Sequence, residues 1–317
     1  MYGAPPLTRL APLALLLLAG FALPLLLPQY FLYLGNFLMM FAVLALGLDL
    51  LLGWAGQFAF AHIAFFGIGT YATALLNVRL GVPFVVGMPL AAMLAGLIGL
   101  AIGFPATRLR TVYLALATFA FAEAAQWVFN SWDKVTGGPD GLRIAAPNIL
   151  GYRVGTDPTA FPVMAVILAL VIAATMYLTT SKFGRAMCAI RESEHVASAS
   201  GIDVRSTKAW AFAISAVYAG VAGGMYTLFQ SFVNPDVFGF QQIVLLLSMI
   251  VVGGLGSIPG ALIGVALLGL LPEVMRTTMR GLLIWQELVY GLILILAVMF
   301  MPRGIWGSLR AGRGRRS

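Results

Sequence analysis

The stretch FLYLGNFLMMFAVLALGLDLLLG, residues 31–53, decides the fold class of this chain. It contains no lysine or arginine and a single acidic side chain, that of Asp49. An α-helix crosses the hydrocarbon core of a bilayer with about 20 mostly apolar residues. The stretch therefore predicts a membrane-spanning helix.

Apolar runs of similar length occupy much of the remaining chain. Of its 317 residues, 61% are hydrophobic and 9% are charged, and the mean hydropathy is +0.97. A soluble domain carries about 25% charged residues, so this composition excludes an ordinary soluble enzyme, a disordered chain and a disulfide scaffold. We predict an all-α, polytopic membrane bundle of about ten transmembrane helices. The candidate runs cover residues 10–28, 31–53, 56–77, 83–105, 112–131, 161–180, 209–230, 241–255, 258–274 and 283–301.

Two of these runs allow a second interpretation. The first could be a cleaved signal peptide, but no small-x-small cleavage site ends it, and we interpret it as a retained helix. The eighth, residues 241–255, is short enough to be re-entrant.

The spacers between the runs predict how the chain is oriented. With ten spans, both termini lie on one side of the membrane. Thirteen of the 19 Lys and Arg residues fall on that side, so the positive-inside rule predicts cytoplasmic termini. The spacers then become an external loop at residues 131–160, a cytoplasmic segment at 181–208 and a basic cytoplasmic tail at 302–317.

Small residues recur at a constant offset and suggest an internal two-fold repeat. Gly53, Gly56, Ala61, Ile63 and Gly69 return 200 positions later as Gly253, Gly256, Ala261, Ile263 and Gly269. Repeated halves with a binding site between them are common in transporters. The alternative is that these small residues only allow close helix packing.

Ionisable side chains inside apolar runs are candidates for function, because a charge in the bilayer requires a partner or water. Glu123 shares a helical face with Gln126 and Asn130, which suits either an interhelical hydrogen-bond network or a hydrated path. We interpret His62 as a hydrogen-bonded packing residue rather than a ligand. The candidate translocation pathway comprises Asp49, Gln57, His62, Glu123 and Gln126.

Signals for chemistry are weak. Cys188 is the only cysteine and the two histidines are far apart, so neither a disulfide nor a metal site is predicted. No nucleotide-binding motif or catalytic cluster is present, so we predict no catalytic residue and no cofactor. The basic residues do not form a soluble patch, so we predict no nucleic-acid partner. A stand-alone transporter or channel using Asp49 or Glu123 stays open, and an intramembrane enzyme is the least favoured hypothesis.

The cytoplasmic segment at 181–208 is the most informative spacer. Its composition predicts one or two short helices broken at Gly201. The mixture of charged and apolar side chains suits either a docking site for a soluble partner or a solvated loop.

Blocks distributed along the chain resemble one known family. They are LLGWAGQ at 51–57, TGGPDGL at 136–142, SKFGR at 181–185, AIRE at 189–192 and VGGLGS at 252–257. Together they resemble the larger of the two permease subunits of high-affinity branched-chain amino acid ABC importers. The residues EHVA at 194–197, followed by Gly201, also resemble the coupling motif of ABC-importer permeases.

This resemblance implies a single permease domain, residues 1–317, in a bacterial inner membrane. The domain would serve an ATP-driven, binding-protein-dependent importer of branched-chain or other hydrophobic amino acids. The implied partners are a second homologous permease subunit, two cytoplasmic ATPase subunits and an external substrate-binding protein. Urea and short-chain amide importers share much of the signature and remain an alternative. The implied ATPase-coupling residues are Arg191, Glu192, Glu194, His195, Val196, Ala197 and Gly201.

Overall fold

The computed structural model of the chain describes residues 6–107, 109, 111–144, 146–149, 152–278, 286–300 and 304–314 as a bundle of α-helices. The helices are α1 Pro6–Leu26, α2 Gln29–Asp49, α3 His62–Leu80, α4 Phe84–Ala106, α5 Thr111–Ser131, α6 Asp133–Thr136, α7 Asp157–Thr180, α8 Lys182–Glu192, α9 Glu194–Ala199, α10 Val204–Phe229, α11 Phe240–Gly253, α12 Ile258–Gly269, α13 Leu271–Thr278, α14 Gln286–Phe300 and α15 Gly304–Gly314.

Each predicted apolar run contains one of these helices. Within the described part of the chain, 6 helices are long and apolar enough to cross a membrane. They cover Gln29–Trp54, His62–Leu80, Phe84–Pro105, Val112–Ser131, Asp157–Thr180 and Val204–Phe229. The prediction of an all-α, multi-pass membrane bundle is therefore confirmed.

The second half of α2 and the residues that follow it lie at the centre of the bundle. All residues from Met40 to Leu51 are buried, and α2 packs against α7, α10 and α12. By contrast, Leu18 and Leu25 of α1 are exposed. A helix that is apolar on every side is typically buried, and a lipid-facing helix keeps an exposed apolar face.

The small residues of α10 allow neighbouring helices to approach its backbone closely. The helix packs most extensively on α4 and α3. A Cβ atom built on Gly220 would lie 2.7 Å from the Cα of Ala92, and one on Gly223 would lie 2.5 Å from the carbonyl oxygen of Phe66. Membrane helices associate through such close packing, because lipid provides no hydrophobic driving force between them.

One end of the bundle, which we call the loop end, comprises residues 131–156 and 230–239. It carries α6 and four short strands, β1 Leu142–Arg143, β2 Asn148–Ile149, β3 Tyr152–Arg153 and β4 Phe232–Val233. Antiparallel pairing of β1 with β4 and of β2 with β3 was not predicted from the sequence. Residues 145, 150 and 151 of the predicted external loop lie outside the described residues.

The opposite end, which we call the α8–α9 end, contains two helix interruptions. After α2 the chain forms a π-helix, Leu50–Trp54, and an irregular segment before α3. The second interruption, residues 254–257, separates α11 from α12. The predicted basic tail contributes α15, which packs against α11 and α12 near this interruption, whereas residues 302–303 and 315–317 lie outside the described part.

Helix α11 is short because it begins beside the middle of α5. The ring of Phe240, its first residue, lies 5.4 Å from the ring of Phe119 and 6.1 Å from that of Phe60. Phe238, two residues before α11, is also buried, and its ring contacts the rings of Phe66 and Tyr71. The chain therefore enters the bundle before α11 begins, and α11 continues from there to the interruption at the α8–α9 end.

Candidate functional site

Serine side chains fix the two short helices of the predicted coupling segment. The Ser181 hydroxyl oxygen accepts bonds from the backbone nitrogens of Phe183 (3.1 Å) and Gly184 (3.3 Å) and so starts α8. Ser193 caps α9 by accepting a 3.4 Å bond from the backbone of Val196. Gly201, at φ 80°, ends the segment before α10. Such caps satisfy the free N–H groups of a helix start.

The coupling residues implied by the resemblance point in different directions. Glu192, His195 and Val196 are exposed, and the apolar Val196 side chain is 65% exposed. Ala197 is buried against the bundle. The Glu194 carboxylate accepts a charged hydrogen bond from Lys208 at the start of α10. The structure therefore divides this set into an exposed edge and an anchored face.

Arg191 is exposed as a residue, but its guanidinium is anchored on the bundle. Its guanidinium donates a hydrogen bond to the carbonyl oxygen of Gly53, which lies 138 positions earlier in the chain. The nearby carboxylate of Asp49 is 2% exposed and accepts a 2.8 Å hydrogen bond from the backbone nitrogen of Gly256. These contacts bring the last turn of α8 to both helix interruptions.

His62 joins three helices. It is 1% exposed; its Nε2 lies 2.9 Å from the Leu44 carbonyl oxygen of α2, and its Nδ1 lies 2.9 Å from the Ser215 hydroxyl of α10. Gln57, in the irregular segment, is also buried, and its Nε2 atom has no hydrogen-bond partner among the described residues. Neither side chain lines the narrow cleft beside Glu123 on α5.

Glu123 and Gln126 lie on a different part of the molecule. Glu123 is exposed near the middle of α5, whereas Gln126 donates a 2.8 Å hydrogen bond to the Pro235 carbonyl oxygen. Beside Glu123 is a narrow cleft, which we call the aromatic cleft. Its lining comprises Phe60, Ile63, Phe119, Ala122, Glu123, Phe238, Phe240 and Ile243.

The aromatic residues that line this cleft could not be grouped from the sequence. Phe60 precedes α3, Phe119 lies on α5 and Phe240 begins α11, so no local spacing connects them. The 3.0 Å hydrogen bond from the Phe60 backbone nitrogen to the Thr118 hydroxyl holds the first of these beside α5. Among the described residues, no group of three or more His, Cys, Asp or Glu side chains could hold a metal ion.

An apolar multi-pass bundle with interrupted helices is typical of a membrane transport protein. Comparison with known families makes this class specific: the family described as "Branched-chain amino acid transport system / permease component" matches residues 30–298. The chain belongs to this family.

Curated relatives agree with the family match. The chain is 30% identical, over 84% of its length and 68% of the relative's, to the high-affinity branched-chain amino acid transport system permease protein LivM of Escherichia coli K12. It is 28% identical to LivH of the same organism, over 84% of this chain and 91% of LivH. A probable LivH of Methanocaldococcus jannaschii is 26% identical over 84% of this chain and 88% of the relative. No solved structure matches the chain significantly.

Proposed function

We propose that this chain is the membrane-spanning permease subunit of an ATP-driven, binding-protein-dependent importer of branched-chain or other hydrophobic amino acids. The family match over residues 30–298 is the observation that carries this proposal. It favours the amino acid importer over the urea or amide importer, the stand-alone transporter and the enzyme, because the relatives are named as branched-chain amino acid permeases.

The exposed edge of α8 and α9 is the proposed docking site for a cytoplasmic ATPase. Glu192 and His195 provide polar groups there, and Val196 provides an exposed apolar group. An exposed apolar side chain rimmed by polar ones is typical of a protein interface. Ala197 supports the docking edge from behind, and Glu194 fixes it to α10 through Lys208.

The aromatic cleft beside Glu123 is the proposed lining of the translocation route. An ionisable group on a span is costly in lipid, so the Glu123 face turns toward water or toward the second permease subunit. The carboxylate suits the ammonium group of an amino acid, and the phenyl rings suit its aliphatic side chain. We place Gln126 on this route, and we assign His62 and Asp49 to packing contacts, because both are almost fully buried.

The proposed topology has ten spans, with both termini on the cytoplasmic side of a bacterial inner membrane. The 6 helices of spanning length, the shorter apolar helices Leu13–Leu26, Phe240–Gly253 and Ile258–Glu273, and the apolar helix α14 support this count. The α8–α9 end then faces the ATPases, and the loop end faces the external binding protein. The similar left-handed φ values of Gly56 (68°) and Gly256 (73°), which lie 200 positions apart, support an internal two-fold repeat.

Reconstitution tests the function directly. The chain is co-purified with a candidate second permease subunit and candidate ATPase subunits, inserted into liposomes and supplied with a candidate binding protein. We expect radiolabelled leucine uptake to require both ATP and the binding protein. Uptake of urea instead, or uptake by the lone subunit under an ion gradient, would contradict the proposal.

Variants test the docking site separately. V196D places a charge on the exposed edge, and we expect it to reduce recovery of the ATPases with the permease about tenfold, because charging an interface anchor costs about 1.4 kcal/mol or more. The matched control S231D adds the same charge at an exposed position of the loop end. Equal recovery for both variants would place the ATPase contact elsewhere.

A further inference from the structure

We propose that Arg191 is a positioning residue that transmits movement of the coupling segment to both interrupted helices. This inference rests on the proposed function, because it assumes that an ATPase moves α8 and α9. It differs from the docking proposal in the contact it uses: Arg191 is exposed as a residue, but its guanidinium contacts Gly53 and Gly256 of this chain.

The two interruptions meet at a point that we call the glycine crossing, formed by Gly53, Gly56 and Gly256. A Cβ atom on Gly53 would clash with the carboxylate of Asp49 and the backbone nitrogen of Gly256. The 2.8 Å hydrogen bond from that nitrogen to Asp49 Oδ1 spans 207 positions of sequence. The end of α2 and the α11–α12 interruption are therefore in direct backbone contact.

Glycine is required at this point for two reasons. Gly56 and Gly256 have φ values of 68° and 73°, in the left-handed region that L side chains rarely adopt. The space where their side chains would lie is also occupied: a Cβ atom would be 3.0 Å from Cγ of Arg191 at Gly56 and 3.0 Å from Nη1 of Arg191 at Gly256. Arg191 thus packs against one glycine of each interruption.

Polar contacts of the guanidinium also fix the position of Arg191. Arg191 donates to the Gly53 carbonyl oxygen and interacts electrostatically with the buried Asp49 carboxylate. Arginine offers several donors in a rigid planar fork, so it can hold a carbonyl and a carboxylate in a fixed relation, whereas lysine is a flexible point charge. One side chain of α8 therefore holds the ends of α2 and of the α11–α12 interruption together.

The consequence is mechanical. Helix α8 begins next to α7 and ends next to α9, so a displacement of α9 reaches Arg191 through a single turn of helix. The displacement must then either carry Gly53 and Asp49 with it or break their contacts with Arg191. Either event changes the position of the end of α2 relative to the α11–α12 interruption. Interrupted helices of this kind move in many transporters.

The experiment compares three variants in the full complex with binding protein, measuring leucine uptake and ATP hydrolysis in the same liposomes. In R191M we expect assembly and ATP hydrolysis to stay within about twofold, while leucine transported per ATP falls about tenfold, a loss within the range for residues that carry coupling. R191K should lie between R191M and the unmodified chain. R185M is the matched control, because Arg185 is exposed on the same helix, as Arg191 is, but bonds locally to the Thr180 carbonyl oxygen (3.1 Å) instead of to a distant helix.

A second variant covers the case in which R191M does not accumulate in the membrane. D49N keeps an oxygen for the Gly256 N–H group and removes only the charge, so we expect about a threefold loss of transport per ATP. The double variant R191M/D49N should lose no more than R191M, because contacting residues that act together are not additive.

Two results would overturn the inference. The first is that R191M transports as much leucine per ATP as R185M does. If R191M does not accumulate, R191K and D49N take its place in this comparison. The other is loss of the ATPases from the R191M complex, which would make Arg191 a direct ATPase contact. Failure of the proposed function is distinguishable, because the unmodified complex would then show no ATP-dependent leucine uptake.

Discussion

The glycine crossing and the aromatic cleft differ in the burial and the partners of their carboxylates. At the crossing, Asp49 is 2% exposed and its carboxylate has both a hydrogen bond from Gly256 and the Arg191 guanidinium nearby. At the cleft, Glu123 is exposed and has no ion-pair partner among the described residues, and the Oε1 atom of Gln126 is buried without a hydrogen bond there.

The difference lies in the two carboxylates. Buried polar groups in folded proteins are almost always hydrogen-bonded, and the Asp49 carboxylate finds its partners within this chain, although Nε2 of nearby Gln57 has none among the described residues. The cleft requires water, a solute or a second subunit to satisfy Glu123. We therefore expect changes at the crossing to affect stability and coupling, and changes at the cleft to affect transport alone.

The largest effect is expected from filling the crossing. G53A places a methyl group against the Asp49 carboxylate and the Gly256 backbone, where no atom can move without loss of a contact. Overpacking of this kind costs about 3 kcal/mol, so the thermal midpoint of the detergent-solubilised protein should fall markedly. G291A is the control, because a Cβ atom at Gly291 meets nothing within 4 Å. Similar midpoints for both variants would show that the crossing is not tightly packed.

The next effect extends the comparison to His62, which the sequence analysis interpreted as a hydrogen-bonded packing residue and also included in the candidate pathway. H62L removes both ring nitrogens and leaves the Leu44 carbonyl and the Ser215 hydroxyl without these partners. Each unsatisfied buried group costs about 1–3 kcal/mol, so stability should fall by about 2 kcal/mol or more. Transport per correctly assembled complex should stay unchanged. Loss of transport without loss of stability would indicate instead that His62 acts in the translocation pathway.

Glu123 should show the reverse pattern. E123Q keeps the size of the side chain but removes the charge, so leucine uptake should fall about tenfold, because a charge-assisted hydrogen bond contributes about 1.5–3 kcal/mol. The thermal midpoint should not change, since the exposed carboxylate stabilises no described contact. E123D, which restores the charge, should recover part of the uptake. If E123Q destabilises the protein to the same degree as H62L, the distinction between the two regions fails.

The smallest effect concerns Cys188, on the same helix as Arg191. Burial raises the pKa of the Cys188 thiol above its ordinary value of 9.0, Arg191 lowers this pKa and Glu192 raises it. Only the thiolate reacts with alkylating agents, so labelling should be slow at neutral pH and should accelerate as the pH rises through and above 9.0. R191M removes the pKa-lowering charge and should slow labelling further at each pH. Faster labelling in R191M would instead report that loss of Arg191 opens this end of the bundle.

Much of the fold was predictable because lipid imposes simple rules on sequence. Each of the ten apolar runs contains a helix, and the mid-bundle position of α2 agrees with its apolar character on all sides. Helix boundaries were less predictable: the run at 56–77 starts in an irregular segment, and α3 begins only at His62. The strands of the loop end were missed because two-residue ladders have no periodic pattern to detect.

The candidate sites divide in the same way. Asp49, His62 and Glu123 could be selected from the sequence, since an ionisable group within an apolar run always requires an explanation. Their partners could not be selected, because Gly256, Ser215 and the aromatic cleft lie far away along the chain.

The amino-acid sequence by itself determined that this protein is a helical bundle in lipid and a branched-chain amino acid transport permease by family, because hydrophobic length and motif order are local properties. Only the tertiary structure decided that Asp49 is buried at the glycine crossing while Glu123 is exposed. The physical reason is that the stability of a buried charge depends on atoms brought together by folding, and residues separated by 138 or 207 positions become neighbours only when the bundle closes.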